Sequence, residues 1–245
     1  LDLFWQIFED EEKKQKRNNF KKYMEAWSKY KEEEETQLFK MNTDNLEFLQ
    51  KSEQQYKKQL QDFPEFHQRS LVELNLAQVL YLRGNTTESL NQKFKAKHAR
   101  KEALKILHHI IDTTPHQTEK AKAYYLKGVI LSTLNRPGEA AKAWNNSLQL
   151  KVYSKAIHLS HISLGDHYFV ENDHKKSLQH FLQARVVGRL SKPTITPTSQ
   201  EDIRVIYRIL ISAHKLQDHK KVLHYSKLIL SQNRKTKKRF VKSGL

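Results

Sequence analysis

The sequence contains no cysteine among its 245 residues and few residues that interrupt helices, with only six Gly and five Pro. The lack of Cys excludes disulfide bonds and thiolate-ligated metal sites. The shortage of Gly and Pro, combined with abundant Leu, Lys, Gln, Glu and Ala, favours helix along nearly the whole chain. No apolar run approaches the roughly 20 residues that cross a bilayer. We therefore expect an all-α protein.

Motifs for catalysis are also lacking. The sequence has no phosphate-binding loop, dinucleotide fingerprint or nucleophile elbow. Of its 13 His, only His158 and His161 are three residues apart, and no HExxH pattern occurs. The run Glu32–Glu35 has the pattern of a solvated helix face rather than of a catalytic carboxylate pair. We expect no enzymatic activity, cofactor or metal, which leaves binding as the function.

Positive charge is concentrated beyond the first quarter of the chain. The formal net charge is +17, yet residues 1–62 hold 12 Lys/Arg and 14 Asp/Glu, so the remainder carries +19. Such a field attracts acidic proteins, anionic lipid headgroups or nucleic acid without selecting among them. One basic cluster stands in the middle of the chain: Lys93, Lys95, Lys97, Arg100 and Lys101.

The pattern of apolar residues divides the chain into three parts. Residues 1–63 read as long polar helices, the last of which starts at the capping stretch Asn42–Asp44 and stops at Pro64. Residues 64–233 are periodic, apart from a proline-containing loop at 190–199. Residues 234–245 form a basic tail without an apolar stripe, which we expect to be frayed.

A small residue recurs at fixed spacing within the periodic part. Ala77 follows Pro64 at the same interval at which Gly128 follows Pro115. Gly165 then follows Gly128 after a period slightly longer than the roughly 34 residues of a common helical repeat. A fourth, weaker copy has bulky Leu210 or Ile211 at this position. Regular spacing of this kind is typical of helical-repeat proteins.

Two copies carry residues that resemble the tetratricopeptide-repeat family. The resemblance implies a right-handed superhelical array of antiparallel helix hairpins, about four here. We expect the small residues to let paired helices approach closely, and the large ones to fill the gap to the next hairpin. The matching residues are Tyr124, Gly128, Leu131, Ala140 and Trp144 in one copy and His161, Leu164, Gly165, Tyr168, Ser177 and Phe181 in the next.

The first copy is longer than the others. The interval from Leu80 to Ala103 is more than twice the interval from Leu131 to Ala140, which recurs between Tyr168 and Ser177. The extra residues, which include a basic insert near 86–99, therefore lie between its two helices or lengthen them.

The resemblance implies that a partner binds on the concave face, which the first helix of each hairpin lines. A peptide or helix of a partner protein suits the large amphipathic groups there. An alternative is that these residues only pack against the N-terminal helices or a terminal repeat. The expected binding residues are Gln78, Tyr81, Lys122, Tyr125, Asp166 and Phe169.

The class of partner and the compartment follow less directly. A protein partner is the first hypothesis, and nucleic acid or an anionic membrane surface is the alternative; the oligomeric state stays open. The long repeat period is similar to that of bacterial envelope repeat proteins of the β-barrel-assembly and Tol-Pal type. Together with the lack of Cys, it favours a periplasmic or envelope location. Because the sequence begins with Leu1 rather than Met, we expect a fragment or a processed form.

Overall fold

The computed structural model describes residues 2–65, 68–191 and 200–242, with side chains for 28–29, 31–65, 68–188 and 203–230. Within these ranges the chain forms nine helices and no strand. The helices are α1 (Asp2–Asp62), α2 (Arg69–Ser89), α3 (Lys93–Thr113), α4 (Gln117–Thr133), α5 (Pro137–Gln149), α6 (Lys155–Val170), α7 (His174–Ser191), α8 (Gln200–Lys215) and α9 (His219–Lys242). None of these helices is long and apolar enough to cross a membrane.

The helices from α2 onward pack in successive pairs: α2 with α3, α4 with α5, α6 with α7 and α8 with α9. Each pair is a hairpin with a first and a second helix. First helices of adjacent hairpins also touch, α2 with α4 and α4 with α6. They form the inner face of the array, and the second helices form the outer face. The prediction of an all-α array of helix hairpins is confirmed.

All four hairpins turn in the same way. The residue in the middle of each turn has a left-handed backbone, with φ of 60° at Asn91, 59° at Asn135, 61° at Asn172 and 56° at Gln217. The next residue then donates its N–H to the carbonyl five positions earlier, at 2.9 Å in every turn. Asn tolerates this backbone better than other side chains do, and it ends three of the four first helices.

The fourth turn offers a test. Gln217 has a left-handed backbone there, although Gln adopts this conformation less readily than Asn does. We expect Gln217→Asn and Gln217→Gly to raise the free energy of unfolding by about 0.5–1 kcal/mol. Urea denaturation followed by circular dichroism measures it. Gln183→Asn, at an exposed position within α7, is the matched control and should be neutral or slightly destabilising. Equal effects at both positions would contradict the role of the turn.

Glycine and a large side chain pack together within the second and third hairpins. A Cβ atom added at Gly128 would lie 2.5 Å from Cδ1 of Trp144 and still closer to its Nε1. At Gly165 it would lie 2.7 Å from the Phe181 ring. Trp144 is 6% exposed and Phe181 is fully buried. Each ring therefore occupies the space that a side chain on the first helix would need.

This contact adds to one prediction. Trp144 and Phe181 were expected to fill the gap to the next hairpin, and each shares a buried cluster with it, Trp144 with Leu164 of α6 and Phe181 with Ile206 of α8. Each ring also packs on the glycine of its own hairpin. The Trp144 Nε1–H also donates to the carbonyl of Tyr125 within the same hairpin, at 3.3 Å. The helices meet so closely because the ring replaces the missing side chain.

Substitution of these glycines tests the contact. We expect Gly128→Ala to lower the free energy of unfolding by about 1–3 kcal/mol, since the new methyl group overlaps the Trp144 ring. Gly138→Ala is the matched control: a Cβ atom there meets nothing within 4 Å, and Ala in a helix should add about 0.5–1 kcal/mol. Thermal melts of both variants measure the difference. A Gly128→Ala variant as stable as the native chain would refute the contact.

The N-terminal segment is one helix rather than several. The predicted start at Asn42–Asp44 is wrong, because α1 runs through it without a break. Its Thr43 hydroxyl donates back to the carbonyl of Phe39 at 2.9 Å, as a side chain inside a helix can. α1 packs on α2. There Glu53, 7% exposed, pairs with Arg83 and with Lys57 at 2.7 Å.

The extra residues of the first copy lengthen its two helices. Only Leu90, Asn91 and Gln92 connect α2 to α3, so the region 86–99 is not a loop. Two further boundaries differ from expectation. The tail predicted to be frayed is helical as far as Lys242, while 243–245 lie outside the described residues. Of the predicted loop, residues 190–191 belong to α7, and 192–199 lie outside the described residues.

Two histidines meet between α6 and α7. Nδ1 of His161 lies 3.1 Å from Nδ1 of His180, and His180 also stacks on Tyr168 with ring centroids 5.5 Å apart. Burial lowers the pKa of His161 to about 4, with smaller contributions from the neighbouring His180 and His158. Burial also lowers the pKa of His180. Folding therefore favours the neutral form of both rings.

This pair predicts a loss of stability in mild acid. The unfolded chain protonates His161 near pH 6.5, so the stabilisation is complete above that pH and is lost as pH falls towards about 4. With solvent screening, we expect a loss of about 2 kcal/mol. Melting temperatures between pH 7 and pH 4 measure it. His161→Gln should flatten the profile, whereas exposed His98→Gln should not. An unchanged profile in His161→Gln would contradict the prediction.

Candidate functional site

The inner face of the array contains an open recess of about 500 Å³ between α2, α4 and α6. Tyr81 and Tyr125 face it from the first two of these helices, with aliphatic side chains around them. Helical spacing accounts for this, because residues three or four apart on one helix share a face. The lining residues are Leu71, Leu74, Asn75, Gln78, Tyr81, Leu82, Lys122, Tyr125, Leu126, Val129, Lys155, Ala156 and Leu159.

The charge of this recess has one sign. Lys122 and Lys155 are exposed and belong to its lining, which includes no Asp or Glu among the residues with described side chains. Among the described residues, no carboxylate forms an ion pair with either lysine. The recess therefore combines an apolar and aromatic floor with two cations that keep their hydration until a ligand arrives. An anionic group beside an apolar one complements it.

Four of the six predicted binding residues line this recess: Gln78, Tyr81, Lys122 and Tyr125. No residue of α1 whose side chain the structure describes belongs to its lining. The alternative of packing against a terminal repeat applies to the other two predicted residues, which contact α8.

The other two predicted residues, Asp166 and Phe169, lie elsewhere and contact α8. The Asp166 carboxylate pairs with Arg204 and with Arg208, both at 3.1 Å. The Arg208 guanidinium also lies over the Phe169 ring, 5.1 Å from its centroid. These contacts fix the fourth hairpin on the third. The sequence contained one signal of this arrangement, since Arg204 and Arg208 are four residues apart on one helix face.

Asp166 also borders a second recess, of about 410 Å³, between α4, α5 and α6. Ser132, Trp144 and Val170 are among its lining residues. It continues the inner face, but the described residues of its lining include no Lys or Arg. The first recess, which has two lysines, is thus the better site for an acidic ligand.

The basic cluster divides into exposed and buried members. Lys93, Lys95, Lys97 and Lys101 are exposed. Arg100 is not available to a partner, since it is 4% exposed. It donates from Nη2 to Asn85 at 2.8 Å and pairs with Glu88. The prediction of Arg100 as part of a binding patch is therefore wrong: it joins α3 to α2.

Sequence reasoning missed several residues of the first recess. Asn75, Leu126, Lys155 and Ala156 were not among the expected ligand contacts, although all four line it. Lys155 begins α6, and only the stagger between neighbouring hairpins brings it beside residues of α4. Within the described residues, no group of three His, Asp or Glu side chains is placed to hold a metal ion.

No protein-family model matches the sequence, and no curated protein matches it. Solved structures are similar in fold. BtubC (BKLC) from P. vanneervenii aligns with a TM-score of 0.62 at 10% identity, over 79% of this chain and 74% of that chain. This likeness shows the fold alone. MamA aligns with a TM-score of 0.46 at 18% identity, over 75% of this chain and 87% of that chain, which is too low to support a conclusion.

Proposed function

We propose that the protein is a non-enzymatic scaffold of the tetratricopeptide-repeat type that binds a segment of a partner protein in the recess between α2, α4 and α6. The main support is the lining of this recess, which has two tyrosines and two lysines that form no ion pair within the described part of the chain. Large aromatic side chains are typical of binding hot spots, and the exposed lysines complement an acidic ligand. Because the long repeat period is similar to that of bacterial envelope repeat proteins, we extend the proposal to a partner in a bacterial envelope complex.

The chemistry of the recess indicates which segment binds. A single extended or helical segment suits an open groove, because it can insert one or two side chains while its backbone stays near solvent. Its inserted residues should be aliphatic or aromatic, to contact Tyr81 and Tyr125. Asp or Glu beside them would meet Lys122 and Lys155. The proposed ligand is thus an acidic peptide with an apolar anchor.

Selection from a displayed random-peptide library against the full chain tests this proposal. We expect enriched peptides that combine an apolar residue with Asp or Glu. Lys122→Glu with Lys155→Glu should weaken their binding by about tenfold or more and shift the selection towards basic peptides. Both lysines are exposed, so the fold should persist.

Tyr81→Ala should weaken the same peptides by a similar factor, through loss of the aromatic contact. Tyr153→Ala is the matched control, since Tyr153 is 77% exposed and lies outside the recess. Peptides that bind all variants equally would show that the recess is not the site, as would a selection without preference for acidic residues.

A further inference from the structure

The turn between α2 and α3 projects beyond its neighbour. The Ser70 hydroxyl donates to the Glu119 carboxylate, which places the start of α2 beside the start of α4. α2 has 21 residues, whereas α4 has 17. Because Glu119 stands one position further into its helix than Ser70 does, the first turn extends about 8 Å further at a rise of about 1.5 Å per residue. We call Leu90–Lys97 the hairpin tip.

The hairpin tip carries an unusual combination of side chains. Phe94 is 84% exposed, more than any other large hydrophobic side chain among the described residues. Lys93, Lys95 and Lys97 surround it in sequence, and all three are exposed. Exposure of an apolar aromatic ring to water is unfavourable, and no described residue of the chain covers the Phe94 ring.

Contacts between α2 and α3 fix the base of the hairpin tip. A Cβ atom at Gly84 would lie 3.0 Å from Cγ of Arg100 and 3.2 Å from the carbonyl of Ala96, so the two helices are in close contact there. Buried Arg100 joins Asn85 and Glu88 on the opposite helix. Binding at the tip therefore orders few groups, which reduces its entropic cost.

We propose that the hairpin tip docks on an anionic phospholipid surface, with Phe94 inserted at the headgroup boundary and the lysines against lipid phosphates. Lysines near a negative membrane surface contribute about 1 kcal/mol each, and an aromatic ring is favourable at the interface. This site lies beyond Leu82, the last described residue of α2 that lines the peptide recess, and it shares no described residue with that recess.

The shape of the tip favours a membrane over nucleic acid. Proteins that bind single strands use a groove with several aromatic side chains for successive bases. Here one ring stands on a convex projection. The nearest guanidinium, Arg100, is buried and paired. A flat, laterally mobile surface of phosphates fits a projecting lysine-ringed side chain better than a nucleic-acid strand does.

Co-sedimentation of the full chain with vesicles tests the proposal. We expect binding to vesicles of equal parts phosphatidylglycerol and phosphatidylcholine, but not to pure phosphatidylcholine. Lys93→Glu, Lys95→Glu and Lys97→Glu combined should weaken binding at least about 100-fold. Phe94→Ser should weaken it several-fold. The control combines Lys142→Glu, Lys175→Glu and Lys220→Glu, which make the same charge change at exposed sites elsewhere and should retain most of the binding.

Insertion of the ring has its own readout, because the chain has no other Cys to label. Phe94→Cys with an environment-sensitive dye should shift to the blue on anionic vesicles, whereas Tyr153→Cys should not. Circular dichroism verifies that each variant is folded. Equal loss of binding in both triple variants, an unchanged dye spectrum, or binding to single-stranded RNA in place of vesicles would overturn the proposal.

Discussion

Close packing of a large side chain on a glycine, within a single hairpin, is the contact on which the two central hairpins depend. The rings of Trp144 and Phe181 occupy the space above Gly128 and Gly165. The distance between the paired helices is then set by the thickness of a ring rather than by two interlocking side chains. Each hairpin is a compact unit, and the apolar faces left over are covered by the next unit. A chain with 38% hydrophobic residues can thus form an ordered array without one large core.

Electrostatic contacts join the hairpins differently at the two ends of the array. Near the N-terminus, Glu53 of α1 pairs with Arg83 of α2, and Lys57 reaches Glu102 of α3 at 2.9 Å. Near the C-terminus, Asp166 holds two arginines of α8. In the middle, the lysines that line the recess have no such partners among the described residues. The charges that hold the structure together and the charges available for a ligand therefore belong to different places.

The sequence alone predicted the hairpins well, because spacing of small and large residues follows directly from helix geometry. Gly128, Ala140 and Trp144 could be placed in one unit from their intervals. The packing of Trp144 on Gly128 could not be predicted, because the same intervals allow the ring to contact its own hairpin or the next one. Four of the predicted binding residues line the recess because α2 and α4 each contribute a pair three residues apart on one face. Asp166 was misplaced because the arginines that engage it come from α8, and a distant partner leaves no local pattern.

The lengthened hairpin shows how such an array can change its outline. Gly84 precedes Ala96 and Arg100 at the same intervals that relate Gly128 to Ala140 and Trp144. Ala77 lies one heptad before Gly84, and Leu107 lies one heptad after Arg100, so the motif occurs twice on the same pair of helices. A heptad makes two helical turns to within about 20°. An extension by this increment moves the tip straight outward and leaves the buried faces aligned, whereas an extension by a turn and a half would rotate the tip away from them. Hairpin length in this fold is therefore adjusted in discrete steps, and a projecting surface can be added or removed without repacking the helices beneath it.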